Sequence, residues 1–367
     1  MSDIGRFKRA DKAYSFDDVA VVPTRRTRAL EDVDLSWRID ALRLACPLIA
    51  APMDSVMSPA TAIEMGRLGG LGVINLEGLW TRYEEPEPIF AELGQLDDPM
   101  AATRRLQEVY AEPIKADLIT ARLAQIRGSG QPVAGSLSPK NVEQFAQVVE
   151  RSAPDFFVIR GALVSAEHVS AGQTPLDLKR FIRTLDVPVI VGGCANYHTA
   201  LHLMRTGAAG VLVGFGGGAR NATSSVLGIE VPMATAVSDV AAARRDYLDE
   251  SGGRYVQVIA DGSLGGSGDI AKALACGADA AMVGTPLARA AEAPGRGYHW
   301  GAEAWHASLP RGWRVKFDQI GSLEEIMVGP SAIADGTMNL VGALRRTLAS
   351  TGYTDVKAFQ RAELVLV

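Results

Sequence analysis

Short apolar runs, each closed by a turn, recur along the chain: CPLIAAP (46–52), GLGVIN (70–75), PVAGS (132–136), FFVIR (156–160), PVIVGG (188–193), GVLVGF (210–215), YVQVIAD (255–261) and AAMVGT (280–285). Runs this short and this continuously apolar read as strands covered on both faces, the pattern of a parallel sheet. The stretches between them, SPATAIEMGRLG, SPKNVEQFAQVVER, LDLKRFIRTL, NYHTALHLMRTG, VSDVAAARRDYLDESG and SGDIAKALACG, repeat their apolar positions at helical spacing. Several open on Ser, Asn or Asp, which can cap free N–H groups, and close on Gly, which accepts a left-handed cap. Eight strand-helix units predict a (β/α)8 barrel as a single domain over 1–367; a doubly wound open sheet is the alternative with the same alternation.

Two segments exceed what a bare barrel needs. Residues 76–130, after the second strand, contain a helical pattern in EPIKADLITARLAQIR. Residues 286–330, after the eighth, hold APGRGYHWGAEAWHASLPRGWRVKF, irregular and rich in Gly, Pro and Trp. Long connections of this kind are more often lids or binding loops than filler. Residues 331–367 predict a closing helix and tail.

A net charge of −5, without basic clusters among aromatics, argues against nucleic acid and against an anionic membrane surface. No apolar stretch is long enough to span a bilayer, and the start has no apolar core of a signal peptide. Three widely spaced cysteines, Cys46, Cys194 and Cys276, make a disulfide framework or zinc site improbable, so a cytoplasmic location is expected. His198 and His202 stand at i, i+4 spacing, but without a Glu motif beside them they read as surface histidines.

In a barrel, ligands sit at the carboxyl ends of the strands. Three neighbouring ends here are glycine-rich: VGFGGGA after the sixth strand, ADGSLGGSGD after the seventh, and VGT after the eighth. Backbone N–H groups converging from such loops, with the first turn of the helix after the seventh strand, predict a seat for a phosphate-bearing ligand. Gly262, Ser263, Gly284 and Thr285 are its candidate residues. Asp261 would be repelled by phosphate and suits ribose hydroxyls, or else a turn cap. No dinucleotide G-x-G-x-x-G, P-loop or G-x-S-x-G elbow occurs where those motifs act.

At these residues the chain resembles the IMP dehydrogenase and GMP reductase family. YSFDDVAVVP (14–23), CPLIAAPMDSVM (46–57), GGLGVIN (69–75), ADGSLGGSGDIAKALACGADAAMVGT (260–285) and NLVGALRRTLASTGY (339–353) carry the resemblance over essentially the whole chain. It implies a barrel acting at C2 of a purine mononucleotide (IMP, GMP or XMP) with NAD(H) or NADP(H). Assembly is expected as a homotetramer or octamer. Residues 76–130 are too few for a pair of CBS modules, so the chain looks most like the CBS-less bacterial branch.

The resemblance also carries over residue roles. Ala51, Met53, Gly218, Ala219, Asp261, Gly262, Ser263, Gly284 and Thr285 are implied at the nucleotide. Arg160 and Gly193 are implied at the cofactor, where Arg160 either favours a 2′-phosphate or closes the site with a salt bridge. Backbone carbonyls of Gly216, Gly218 and Asn221 match those that hold a monovalent cation, K+, in relatives.

Family chemistry uses a loop cysteine, because a thiolate is both a strong nucleophile and a competent leaving group. The loop pattern G-x-G-x-G-S-x-C-x-T places Gly214, Gly216 and Gly218 correctly but puts Ala219 at the serine and Asn221 at the cysteine. Thr223 matches the threonine, and Glu303 resembles the proton-handling glutamate of the reductases. Two readings follow: an oxidoreductase, reducing GMP to IMP with NADPH rather than oxidising IMP, or a catalytically silent barrel that binds a purine nucleotide or a partner. A nucleophile relocated to Cys194 is a minor variant of the first.

Overall fold

The computed structural model describes residues 2–5, 8–169, 176–215, 223–308 and 314–367. Eight parallel strands close into a barrel: β1 (Leu48–Ala50), β2 (Leu71–Asn75), β3 (Ala134–Leu137), β4 (Phe156–Arg160), β5 (Val189–Cys194), β6 (Gly210–Val213), β7 (Gln257–Ala260) and β8 (Ala280–Val283), with β8 pairing β1. Each strand coincides with one of the eight apolar runs, β3 and β5 overrunning theirs at Leu137 and Cys194. The single-domain barrel is therefore the fold, and the open-sheet alternative is excluded by closure.

Alternation along each strand sorts the side chains. Ile49, Leu71, Val73, Ala134, Phe156, Val158, Ile190, Leu212, Ile259, Ala280 and Met282 fill the barrel interior, while Phe157, Ile159, Val211, Val258 and their like face the helices. With a period of two, Phe156 and Val158 put Arg160 inward at the top of β4, and Ile259 puts Asp261 inward just beyond β7. The amino-terminal end is plugged by a hairpin, Trp37–Ile39 against Leu42–Leu44, whose apolar side chains join the interior. Trp37 Nε1 donates to Gln257 Oε1 at 3.0 Å, tying the plug to β7.

The outer helices include α1 (Pro59–Arg67), α5 (Val142–Ser152), α6 (Leu178–Thr184), α7 (Tyr197–Arg205), α8 (Met233–Glu250) and α9 (Ser267–Ala275). Ser58 caps α1, Asp177 caps α6 and Asn196 caps α7 by accepting from the first turn, as the sequence predicts. The helix after β3 starts later than expected, at Val142, because Ser138 and Asn141 bond to Glu77 instead of capping it. No helix among the described residues is long and apolar enough to cross a membrane.

Residues 76–130 fold into α2 (Glu87–Leu93), α3 (Pro99–Val109) and α4 (Ala116–Gly128). Only the last matches a helix expected from the sequence. The stretch after β8 forms a short helix, α10 (Thr285–Ala288), a small hairpin, Tyr298–His299 against Val315–Lys316, and a 3-10 turn, Ala302–Trp305. These two excess segments flank β1 and pack on each other. Leu79, Trp80, Phe90, Leu93, Leu106, Val109, Tyr110, Tyr298, Trp300 and Ala304 make one aromatic-rich cluster separate from the barrel core. A short α11 (Leu323–Val328) and the closing helix α12 (Leu340–Ser350) follow, and the tail strand Leu364–Leu366 pairs with Val19–Val21.

Candidate active site

Two cavities open at the carboxyl mouth of the barrel. One lies over β1–β4, between Met53, Asp54, Asn75, Glu77, Ser136, Ser138 and Arg160 below and Tyr110, Trp300 and Trp305 above. The other lies over β6 and β7, lined by Gly214, Phe215, Thr223, Glu230, Met233, Gly262 and Ser263.

Arg160, on the wall of the first cavity, pairs with Asp261, the residue before Gly262 and Ser263 of the second. Arg160 Nε donates to Asp261 Oδ2 at 2.9 Å and Nη2 to Oδ1 at 3.3 Å, with side chains 21% and 6% exposed. Burial works to lower the Arg160 pKa, but the charge and hydrogen bonds of Asp261, helped by Glu303, more than offset it and hold the guanidinium above its ordinary value. Of the two options for Arg160, the geometry is the salt bridge. Asp261 accordingly presents its carboxylate to Arg160 and not to a turn amide. Glu303, on the 3-10 turn, adds its charge to the field at Arg160.

On β1, the turn after Ala51 is held by Met53 N–H donating to Ala51 O at 2.8 Å. Ala51 and Met53 meet Gly284 across the β8–β1 junction: a Cβ on Gly284 would lie 3.6 Å from Ala51 Cβ and 3.4 Å from Met53 Sδ. Thr285 Oγ1, next along, is buried with no hydrogen-bond partner among the described residues. A native hydroxyl left in that state is unusual and suits a donor awaiting a ligand oxygen.

The amides at the start of α9 are not free. Gly265 and Gly266 N–H donate to Asp269 Oδ2 at 2.9 and 3.2 Å, and Ser267 N–H donates to Gly336 O at 2.8 Å. The chain's own carboxylate thus occupies the place offered to phosphate. What remains of that loop is Gly262 and Ser263, and Ser263 holds φ +54° where the family has glycine. Gly193 is taken up internally as well: its N–H donates to Gly161 O at 2.9 Å, its carbonyl accepts from Val164 N–H, and a Cβ would overlap Gly214 O.

Thr223 is buried beside the β6–β7 cavity. Gly216, Gly218, Ala219 and Asn221, the loop and cation positions, lie outside the described residues. Cys194 lies buried at the end of β5, its thiol donating to Leu212 O at 3.4 Å, and burial pushes its pKa up to about 12, which disfavours a thiolate there.

Sequence reasoning missed the groups around Asp54. Asp54 Oδ2 accepts from Tyr110 Oη at 2.6 Å and Leu79 N–H at 2.8 Å, and Tyr110 Oη accepts from Trp300 Nε1 at 3.0 Å. This chain of bonds joins the β1 turn, the insert and the flap. Burial pushes the Asp54 carboxyl up to about 6, against the lowering effects of Tyr110, Leu79, Arg82 and Asn75. Glu77 is anchored by Ser138 N–H and by Asn141 Nδ2 at 2.8 Å. His299 Nδ1 lies 2.9 Å from Ser55 Oγ, and burial lowers its pKa to about 4, so the ring is neutral. Asp54 sits within CPLIAAPMDSVM, but only the docked insert and flap show what surrounds it.

A closed barrel with two cavities at its mouth is the class that fold and site define. The family model described as IMP dehydrogenase / GMP reductase domain matches residues 13–84 and 131–308, and the chain belongs to that family. Most of the unmatched internal stretch is the helical insert. Among relatives, an uncharacterized oxidoreductase of Mycolicibacterium smegmatis is 50% identical over 100% of both chains. An inosine-5′-monophosphate dehydrogenase of Thermoplasma acidophilum is 25% identical over 97% of this chain and 92% of its own. The crystal structure of an IMP dehydrogenase/GMP reductase-like protein from Corynebacterium glutamicum superposes with a TM-score of 0.95 at 50% identity, covering 100% of this chain and 97% of that one.

Proposed function

We propose that the protein is a purine mononucleotide oxidoreductase working in the reductive direction, GMP to IMP, with NADPH as the electron source. The observation that carries this reading is the pair of cavities at the mouth, one with Arg160 on its wall and the other lined by Gly262 and Ser263 next to Asp261, which pairs with Arg160. Hydride transfer needs two ligands held face to face, and one cavity per ligand meets that need. The nucleotide belongs over β6 and β7, where Thr223, Gly262 and Ser263 line the cavity. The nicotinamide belongs over β1–β4, where Ser136 and Ser138 line the wall and can meet a carboxamide.

The bound nicotinamide supplies the hydride. The chain's residues must position purine C2 and bring a proton to the departing amine, so that GMP, NADPH and two protons yield IMP, NADP+ and ammonium. Glu303 and Thr223 are the residues assigned to that proton. Asn221 offers no covalent route, so the reaction runs without a thioester-like intermediate and is slow for its class.

The state of the thiols favours a second reading, a nucleotide-binding barrel without turnover. Cys46, Cys194 and Cys276 are all buried, with pKa values pushed up to about 11, 12 and 11 by desolvation. NADPH absorbance in the presence of GMP separates the readings. Absence of turnover at micromolar protein, with tight IMP or GMP binding by calorimetry and activity created by Asn221→Cys, sinks the first and leaves the second.

A further inference from the structure

The β1–β4 cavity carries an excess of fixed negative charge. Asp54 and Glu77 line it, and Glu303 stands close enough to raise the Arg160 pKa. The guanidinium on its wall, Arg160, is already bound to Asp261. Arg82 stands beside the Tyr110 and Trp305 rings, 5.8 and 5.9 Å from their centroids, with its Nε donating to Glu77 O at 2.8 Å, so one cation offsets part of this charge. Asp54 is 2% exposed, with Tyr110, Leu79 and Asn75 as its neighbours. Glu77 cannot swing away, because both of its oxygens are held by the turn after β3.

The roof of the same cavity is aromatic. Tyr110, Trp300 and Trp305 line it, and the Tyr110 and Trp305 rings stack at 4.6 Å between centroids with 5° between planes. Aromatic faces and carboxylates both attract a planar cation, and each effect strengthens where water is excluded.

We propose that this cavity discriminates between the two redox states of the nicotinamide, holding the cationic pyridinium more tightly than the neutral dihydropyridine, with Asp54 and Glu77 as the residues that set the preference. The inference rests on the cofactor reading above. Its consequence concerns direction. A dihydropyridine that gives up hydride passes two electrons to the acceptor carbon and keeps a unit positive charge on its ring. A cavity that favours that charge lowers the free energy of hydride donation, since interactions gained as the reaction proceeds are the ones that accelerate it. The cavity is thus built for a cofactor that arrives reduced.

Asp54 makes the preference depend on pH. The charged and titratable groups that share its surroundings are Tyr110 from the end of α3, Arg82 from the insert, Glu77 from the β2 turn, and Arg160 with Glu303 across the cavity. Because burial pushes the Asp54 carboxyl up to about 6, the preference is full above that pH and shrinks below it.

The test is equilibrium binding of NADP+ and NADPH to the full-length protein, read by NADPH fluorescence and by competition at pH 7.5 and pH 5. NADP+ is expected to bind about tenfold more tightly at pH 7.5, equivalent to about 1.4 kcal/mol. The ratio should fall to about twofold at pH 5, and Asp54→Asn should show the smaller ratio at both pH values. If the variant fails to fold, as judged by circular dichroism, the wild-type pH series decides alone. Equal affinities, tighter NADPH, or a preference indifferent to pH and to Asp54→Asn overturns this inference and leaves the cofactor reading standing. Failure of both forms to bind at millimolar concentration removes the cofactor reading itself.

Discussion

Replacing Arg160 with methionine removes the cation on the wall of the β1–β4 cavity while keeping most of the stem volume. The pair spans two contacts of 2.9 and 3.3 Å between side chains 21% and 6% exposed, so the charges are shielded from water. At an effective dielectric of about 20, two unit charges about 4 Å apart attract by about 4 kcal/mol. Losing one member of a buried pair typically costs about 3–5 kcal/mol, because the remaining charge stays buried. For a chain of this length that corresponds to a fall in melting temperature of about 4–6 °C. Arg160→Met should therefore lower the urea midpoint clearly at unchanged m-value, and the double variant Arg160→Met/Asp261→Leu should recover most of the loss. A loss below about 1 kcal/mol, or no coupling in the cycle, would refute the buried-pair reasoning.

Asp54 and His299 should give opposing pH dependences. A carboxyl raised to about 6 keeps its proton in the folded state while the unfolded chain ionises, so its contribution falls as pH rises from about 4 to 6, by about 3 kcal/mol. A histidine lowered to about 4 does the reverse, its contribution growing as pH rises from about 4 to 6.5. Urea titrations should show Asp54→Asn gaining stability with pH in that window relative to the parent and His299→Gln losing it; parallel curves would contradict the burial of both groups. Thr285→Val should leave stability unchanged or slightly higher, since the buried hydroxyl has no partner to lose, while weakening IMP binding about tenfold by calorimetry. Phe156→Ala empties part of the barrel interior and should cost about 3–5 kcal/mol; a cost near zero in denaturant titration would mean the site collapses.

The barrel was legible because its information is local. Each strand is a short apolar run, and inward and outward positions follow from alternation, which by itself aligns Arg160 and Asp261 on the interior face. The nucleophile's absence is equally a matter of reading Asn221 against a pattern. The start of α9 was ambiguous because an anion-ready helix start looks the same in sequence whether a ligand or the chain's own Asp269 fills it. Helix α3 carries an apolar stripe, Ala102, Leu106 and Val109 at i, i+4 and i+7, that the reading of the long connection passed over.

Residue type and spacing alone settle the strand-helix alternation, while closure of the sheet was shown only by β8 pairing with β1. It took the folded chain to establish that the insert and the flap pack together, that Arg160 commits its charge to Asp261, and that Asp54 lies beneath a tyrosine and two tryptophans. Those outcomes depend on contacts between residues as distant in the chain as Asp54 and Trp300, joined through Tyr110. Pairing energies between such groups are set by which surfaces meet when the barrel closes, and no local pattern encodes that meeting.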